Sequence, residues 1–234
     1  MDDKIHKEMM CYYHERAEEY DELYKGIIGR TRHVTINPQV YRQDIAKTSE
    51  MVARFGTGSL IDIGCGSGFW FLYYARNCSR ITMLDQSKKM LQESSKKVEQ
   101  LGLEESVNFI QGDFFRIPLG LSIFDCALIG FLLSHFTVKQ EETFFLKLQR
   151  ILKPNGKLLF IDSAWNKERQ KHRKKEGVQE RVLNDGRVFQ IYKRYFDRLD
   201  VEKMFQRYNF EIKSLYIGKA MISIIAEYFH QKIA

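Results

Sequence analysis

The sequence predicts an α/β protein in which a doubly wound, mostly parallel sheet has helices on both faces. Short apolar runs typical of buried strands alternate with segments of helical periodicity between residues 60 and 162. Strands joined through helices form right-handed crossovers, which place them side by side in one parallel sheet. After residue 162 the pattern changes to a β-hairpin, one helix and two closing strands. We therefore expect a seven-stranded sheet with an antiparallel C-terminal strand, an N-terminal helical lid and a β-hairpin insertion.

Length and composition fit one globular domain over residues 1–234, with 44% apolar and 29% charged residues. A chain of this size buries enough surface for a core without disulfides or metals, and its apolar fraction excludes global disorder. The four cysteines have no paired spacing, which argues against a disulfide framework or a zinc site. The N-terminus has no secretory signal, and proline and charge interrupt the apolar stretch 117–138. We expect a cytoplasmic protein without a membrane span.

The N-terminal segment, 1–50, is predicted to be a helical lid. Apolar and aromatic residues recur every three or four positions over 5–24, and a second amphipathic helix is expected over 39–55 after a loop at 26–38. Much of the apolar face of the first helix consists of tyrosines. A buried tyrosine keeps a hydroxyl available, which suits the wall of a polar cavity, although a helix packed on the core is the ordinary alternative.

The segment 51–163 is predicted to be a cofactor-binding core. Its strands are expected at 60–63, 81–84, 107–110, 124–129 and 157–162, and its helices at 69–77, 87–101 and 137–152. The sequence Lys-Pro-Asn-Gly at 153–156 is a usual signal for the end of a helix.

The remaining chain divides into a basic and hairpin insertion, 164–197, and a C-terminal helix with strands, 198–234. Alternating residues at 179–183 and 187–195 flank Asn-Asp-Gly at 184–186, which predicts a hairpin. The closing elements are expected as a helix at 199–208 and strands at 210–217 and 220–229.

The clearest ligand signal is the glycine-rich turn Asp-Ile-Gly-Cys-Gly-Ser-Gly at 62–68, directly after the first strand. Glycines there let the backbone turn sharply and let a ligand approach where a Cβ would collide. A dinucleotide fingerprint would need glycine at position 69, where this chain has Phe69, and this argues against NAD or FAD.

Two carboxylates follow the next two strands and are expected beside the same crevice. Asp85 ends the second strand, where a carboxylate can accept hydrogen bonds from both hydroxyls of a ribose. Asp113 follows the third strand, where it could accept a hydrogen bond from an exocyclic amine.

In this order and spacing, the glycine turn, Asp85, Asp113 and the turn at 153–157 resemble the class I S-adenosylmethionine-dependent methyltransferase family, which implies a Rossmann-like sheet. The resemblance runs from Asp62 to Asp162. Within the family, the pattern Tyr-Tyr-x-x-Arg-Ala-x-x-Tyr-Asp at 12–21 is similar to the N-terminal helix of small-molecule methyltransferases of the menaquinone and ubiquinone type.

The resemblance implies S-adenosyl-L-methionine as cofactor, with S-adenosyl-L-homocysteine as product. The glycine turn would face the methionine moiety with Asp62 ordering it, Asp85 would hold the ribose and Asp113 the adenine amine. The residues implied to bind the cofactor are Tyr12, Arg16, Tyr20, Asp62, Gly64, Cys65, Gly66, Gly68, Asp85, Gln86, Met90, Asp113, Phe114, Ile129 and Gly130.

An oxygen acceptor would also need a general base. His135, just beyond the fourth strand, is the candidate catalytic residue, with a backbone contact at a helix start as the alternative. Candidate substrate-binding residues are Tyr24, His135, Arg187 and Lys193. Since Arg187 and Lys193 are six positions apart, we expect them on one strand face, either binding an acidic group or forming exposed surface charge.

The leading hypothesis is a methyltransferase for a small-molecule acceptor, without nucleic acid as a partner and without a membrane span. One alternative is an RNA or protein methyltransferase that grips its substrate with the basic run 167–175, because residues 167–198 carry eleven basic and five acidic side chains. No aromatic residues are interleaved in that run, which disfavours a single-strand platform. Another alternative is a non-catalytic S-adenosylmethionine-binding protein. The sequence carries no signal for the oligomeric state.

Overall fold

The computed structural model describes residues 3–22, 24–25 and 37–229. Most of the predicted loop at 26–38 lies outside this part of the chain. The helices are α1 (Asp3–Glu15), α2 (Pro38–Ala53), α3 (Phe71–Tyr74), α4 (Lys88–Leu101), α5 (Val138–Ile151), α6 (Lys167–Gln170) and α7 (Arg198–Arg207), with 3-10 turns at Ala17–Glu22, Ala75–Asn77, Glu104–Ser106 and Leu133–His135. The strands are β1 (Ser59–Ile63), β2 (Arg80–Asp85), β3 (Val107–Gln111), β4 (Phe124–Gly130), β5 (Leu152–Ser163), β6 (Glu176–Val182), β7 (Val188–Arg194), β8 (Phe210–Ile217) and β9 (Met221–Tyr228).

Seven of these strands form one sheet in the order β3-β2-β1-β4-β5-β9-β8. The pairs from β3 through β5 are all parallel, whereas β9 is antiparallel to both β5 and β8. The predicted doubly wound, mostly parallel sheet is confirmed. Its strand order reverses between β1 and β4, and ligands of such sheets bind at this switch point.

The two faces of the sheet are covered by two apolar layers. Alternate residues of β1 point to opposite faces, so Ile61 and Ile63 pack towards α5 and α7 while Leu60 packs towards α2 and α3. The strand pattern therefore reads as a continuous apolar run because both faces are buried.

The β6–β7 hairpin forms a separate two-stranded sheet that packs against α1. Their interface is a small apolar cluster formed by Met9, Tyr12, Leu183, Phe189 and Ile191. Polar contacts reinforce it, because the Gln190 backbone N–H donates to Glu8 at 2.8 Å.

Three predicted elements differ from the structure in length. The first helix was expected to run over 5–24, but α1 ends at Glu15 and the chain tightens into a 3-10 turn, where Asp21 pairs with Lys97 of α4 at 2.9 Å. The helix expected at 69–77 is a single α-turn followed by a 3-10 turn. The strand expected at 157–162 begins at Leu152, with a register shift opposite 124–126 and a positive φ of +61° at Asn155. In the first helix, tertiary contacts override local helix propensity.

None of the helices in the described ranges is both long enough and apolar enough to cross a membrane. All four cysteines are free thiols, and Cys126 is buried in the core.

Candidate active site

A cavity of about 430 Å³ lies at the carboxyl ends of β1 to β4, beneath α1. Its volume falls in the range of roughly 300–1,000 Å³ that is usual for small-molecule sites. From the sheet side it is lined by Gly64, Gly66, Asp85, Gln86, Met90, Asp113, Phe114 and Gly130, and from the lid side by His6, Met9, Met10, Tyr13 and Tyr20.

The glycine turn after β1 forms the floor of the cavity. Gly64, Gly66 and Gly68 have φ values of +69°, +57° and +76°, a conformation that L side chains rarely adopt. A Cβ on Gly66 would meet only the Tyr20 ring edge, at 3.8 Å, so this position leaves room for a ligand. A Cβ on Gly68 would instead meet the Ser94 Oγ at 3.0 Å, so Gly68 allows α4 to pack closely.

Asp85 fixes this turn from the end of β2. Its carboxylate accepts hydrogen bonds from the backbone N–H groups of Gly66, at 3.0 Å, and Ser87, at 2.8 Å. Burial raises the pKa of Asp85, and these two N–H donors oppose that rise. Each carboxylate oxygen has one further lone pair, so Asp85 can still accept two hydroxyl donors from the cavity.

Asp113 lies across the cavity, where its Oδ1 accepts the Phe115 backbone N–H at 2.9 Å. Gln86, Met90 and Phe114 line the space near it. The Phe114 ring packs on Phe144 of α5, with ring centroids 4.9 Å apart, which fixes this side of the wall.

Arg16 is buried between two tyrosines, with its guanidinium 4.9 Å from the Tyr20 ring centre and 5.5 Å from that of Tyr12. Glu19 lies 4.0 Å away. Within the described residues, Nε and Nη2 of Arg16 have no hydrogen-bond partner. Buried donors are almost always paired in folded proteins, so these two unpaired N–H groups are unusual, although Arg16 itself lies outside the cavity lining.

Six residues implied to bind the cofactor lie behind the cavity wall rather than in it: Tyr12, Arg16, Asp62, Cys65, Gly68 and Ile129. Asp62 was expected to order the glycine turn, but its Oδ2 accepts a hydrogen bond from the Tyr74 hydroxyl at 2.8 Å. It therefore ties β1 to α3. Burial raises the pKa of the Cys65 thiol well above its usual value, so this cysteine is not a reactive nucleophile.

His135 lies at the cavity wall and is hydrogen-bonded on both ring nitrogens. Nδ1 is 2.7 Å from the Tyr192 carbonyl oxygen, which can only accept, so Nδ1 carries the proton. Nε2 is then free to accept the Tyr13 hydroxyl, also at 2.7 Å. Burial, followed by the nearby Lys193 ammonium, lowers the pKa of His135 well below its usual value and keeps the ring neutral. An unprotonated Nε2 facing a cavity is the state that a general base requires.

The other three candidate substrate residues do not line the cavity. Tyr24 is buried and stacks on Phe69 at 3.9 Å. Arg187 is exposed and pairs with Glu15 and Asp185, whereas Lys193 is buried and donates to Ser134. Arg187 directly precedes β7, which begins at Val188, whereas Lys193 is near the end of that strand.

Sequence reasoning missed several residues that line the cavity, including Tyr13, Phe131 and Leu132. The tyrosine-rich face of the first helix was a signal for Tyr13. Phe131 has a positive φ of +56°, which no sequence pattern announces for a phenylalanine.

Solved structures share this fold across almost the whole chain. The structure described as a DhpI–SAH complex superposes with a TM-score of 0.77 at 20% identity, covering 99% of this chain and 100% of that one. A 1,6-didemethyltoxoflavin-N1-methyltransferase of Burkholderia thailandensis superposes with a TM-score of 0.64 at 14% identity, covering 96% and 89%. Residues 61–160 match the family model described as a methyltransferase domain. This stretch of the chain is therefore a methyltransferase domain.

Two similar proteins are named as methyltransferases of ubiquinone or menaquinone biosynthesis. The ubiquinone/menaquinone biosynthesis C-methyltransferase UbiE of Blochmanniella pennsylvanica is 33% identical over 106 residues, covering 44% of this chain and 41% of that protein. The demethylmenaquinone methyltransferase of Listeria welshimeri is 28% identical over 166 residues, covering 70% and 64%. These relatives confirm the resemblance to the menaquinone and ubiquinone branch, although each alignment spans less than two thirds of the relative's length.

Proposed function

We propose that the protein transfers a methyl group from S-adenosyl-L-methionine to a small-molecule acceptor. The observation that carries the proposal is the convergence of the open Gly66 turn and the carboxylates of Asp85 and Asp113 on one cavity at the switch point of the sheet. The relatives are named as methyltransferases of ubiquinone/menaquinone biosynthesis and of demethylmenaquinone, and these names support a small-molecule acceptor.

The residues around the cavity fit the proposed methyl donor. Asp85 has lone pairs for the ribose hydroxyls and Asp113 has an acceptor oxygen for the adenine amine, while the unpaired Arg16 donors lie behind Tyr20, outside the cavity lining. When bound, S-adenosyl-L-methionine supplies an electrophilic methyl group that is transferred by in-line displacement. The contribution of the chain is then mainly positioning and exclusion of water.

His135 is the proposed general base for a hydroxyl acceptor. Its Nε2 would take the hydroxyl proton in place of the hydrogen bond from Tyr13, while Nδ1–H stays bound to the Tyr192 carbonyl. Tyr13, Tyr20 and Phe131 form an aromatic wall of the cavity, and aromatic faces suit a cationic donor that loses its charge in the transition state. A cytoplasmic location is part of the proposal and is supported by the four free thiols.

Calorimetry with S-adenosyl-L-homocysteine tests the proposal on wild type and on Asp85→Ala. We expect wild-type binding, and about 10- to 100-fold weaker binding by Asp85→Ala because charge-assisted hydrogen bonds to the ligand are lost. The matched control is Glu202→Ala, which removes an exposed carboxylate of α7 far from the cavity. Absence of wild-type binding, or equal affinity in the folded Asp85→Ala protein, would contradict the proposal.

A further inference from the structure

A group of buried and partly buried cationic side chains lies beside the cavity, and the proposed function leaves it unused. We define this cation cluster as Arg169 of α6, Arg181 of β6 and Lys193 of β7, which surround the phenol of Tyr195. Arg169 and Lys193 are 8% and 6% exposed. For Arg169 this is unexpected, because it belongs to the basic run 167–175, and side chains in such runs are usually exposed to solvent.

The contacts of the cluster converge on Tyr195 and Gln179. The Arg169 guanidinium lies 4.5 Å from the centre of the Tyr195 ring, and the Lys193 ammonium lies 6.0 Å from it. Arg181 donates to Gln179 Oε1 at 3.2 Å, and the Tyr195 hydroxyl donates to the same oxygen at 2.9 Å. Lys193 also donates to the Ser134 Oγ at 2.5 Å.

Positive charge in the cluster exceeds negative charge. Asp162 pairs with Lys193 at 3.3 Å, but neither Arg169 nor Arg181 has a carboxylate partner among the residues that the structure describes. Two buried donors, Arg169 Nε and Gln179 Nε2, have no hydrogen-bond partner in that part of the chain. Burying charge and unpaired donors is costly, and an anion bound here would offset that cost.

The behaviour of Tyr195 reflects the same excess of charge. Burial alone would raise the pKa of this phenol, yet Arg181, Arg169 and Lys193 together hold it below its usual value. Such a site favours a negative group over a neutral one.

The cation cluster adjoins the wall where the acceptor would lie. Lys193 is 6.0 Å from the centre of the Phe131 ring, and Phe131 lines the cavity. Ser134, which accepts a hydrogen bond from Lys193, directly precedes the proposed base His135. The cluster thus lies directly behind Phe131, on the side of the cavity where His135 is found.

We infer that the cation cluster is an anion subsite for the methyl acceptor, which is a small acid carrying a carboxylate or a phosphate-like group beside its nucleophilic atom. This inference rests on the proposed function and narrows its acceptor class. The sequence offered Arg187 and Lys193 as residues that bind an acidic group. The inference keeps Lys193 in that role and replaces Arg187 by Arg169 and Arg181.

The test uses protein saturated with S-adenosyl-L-homocysteine, titrated calorimetrically with inorganic phosphate, acetate and the neutral analogue acetamide at constant ionic strength. We expect phosphate or acetate to bind and acetamide not to bind. The expected loss of affinity is about tenfold or more in Arg181→Gln and in Lys193→Met. Arg198→Gln, which removes an exposed arginine of α7, is the matched control and should bind like wild type. Because Arg181 is only partly buried, Arg181→Gln keeps the test valid if Lys193→Met does not fold.

A second measurement compares methyl transfer to glycolate and to its neutral amide, glycolamide. Any preference for the acid should fall by about tenfold in Arg181→Gln and persist in Arg198→Gln. If S-adenosyl-L-homocysteine binds but none of the anions does, or if anion binding is unchanged in Arg181→Gln, the subsite is overturned while the proposed function stays intact. Failure of S-adenosyl-L-homocysteine itself to bind overturns both.

Discussion

At the scale of single residues, the decisive feature is the pair formed by His135 and Tyr13. The carbonyl of Tyr192 fixes the tautomer of His135, so that its lone pair faces Tyr13 and the cavity. The pair thus holds a neutral base ready at the wall, with a hydroxyl that marks where an acceptor hydroxyl would bind.

His135→Asn should lower kcat for a hydroxyl acceptor by about 10²- to 10⁴-fold, because general-base catalysis is lost. Affinity for S-adenosyl-L-homocysteine should stay within about twofold, since His135 is proposed to act on the acceptor. Rates measured with labelled methyl donor check kcat, and calorimetry checks the affinity.

The wild-type rate should not fall between pH 8 and pH 6 on account of His135, because the pKa of His135 lies well below 6.5. Tyr13→Phe should keep most of the activity and the same pH profile. Full activity in His135→Asn would instead leave His135 with a structural role, holding β7 through Tyr192.

At the scale of elements, α1 and the β6–β7 hairpin act as one unit over the cavity. Glu15 pairs with Lys89 of α4 and with Arg187 of the hairpin, and the Tyr12 and Phe189 rings lie 5.7 Å apart. The far end of β7 is held to β5 by the Lys193–Asp162 pair and to α5 by the Arg194–Glu141 pair, so it is α1 that can loosen while the sheet stays folded.

Phe189→Ala should weaken S-adenosyl-L-homocysteine binding by about tenfold while lowering the melting temperature of the sheet only slightly. The reason is that the apolar cluster under α1 loses its largest hairpin side chain. A larger fraction of the molecules then has α1 lifted away from the cavity. Hydrogen exchange of α1 peptides checks this directly, with protection expected to rise on ligand binding in wild type and less in the variant. Leu199→Ala, at an exposed site of α7, serves as control. Unchanged exchange and affinity in Phe189→Ala would show that the lid contacts do not govern binding.

The elements of the sheet could be predicted from the sequence, whereas several features of the lid and of the site could not. Buried strands have a local signature in their apolar runs. The glycine turn has one in residues whose positive φ only glycine readily adopts. The end of α1 at Glu15 depends on ion pairs with residues far along the chain. In the same way, the inward turn of Arg169 depends on the Tyr195 ring and the Ala220 carbonyl, which no pattern around position 169 reveals.

At the scale of the whole molecule, the buried Asp62 links global stability to pH. Burial, opposed by the hydrogen bond from Tyr74, raises the pKa of Asp62 to about 7. The folded state therefore binds a proton that the unfolded chain releases above about pH 4. The contribution of Asp62 to the unfolding free energy is present at low pH and falls as pH rises from 4 to 7, by at most about 4 kcal/mol.

Asp62→Asn should remove this contribution, so that the variant gains stability relative to wild type as pH rises from 5 to 8. Urea unfolding of both proteins at the two pH values measures the difference. His135 acts in the opposite direction, since its lowered pKa makes stability fall as pH drops below 6.5, but it is common to both proteins and cancels. An equal pH dependence in the two proteins would contradict the assignment.

The position of β9 has a consequence for how the chain is made. β9 follows all the other described strands in the chain, yet it lies inside the sheet between β5 and β8. During synthesis, β8 therefore emerges from the ribosome with no neighbour, and β5 keeps an open backbone edge until Met221–Tyr228 has been translated. A nascent chain released before that point would expose an apolar edge ready to pair with another copy, and chaperone capture should be greatest in this interval.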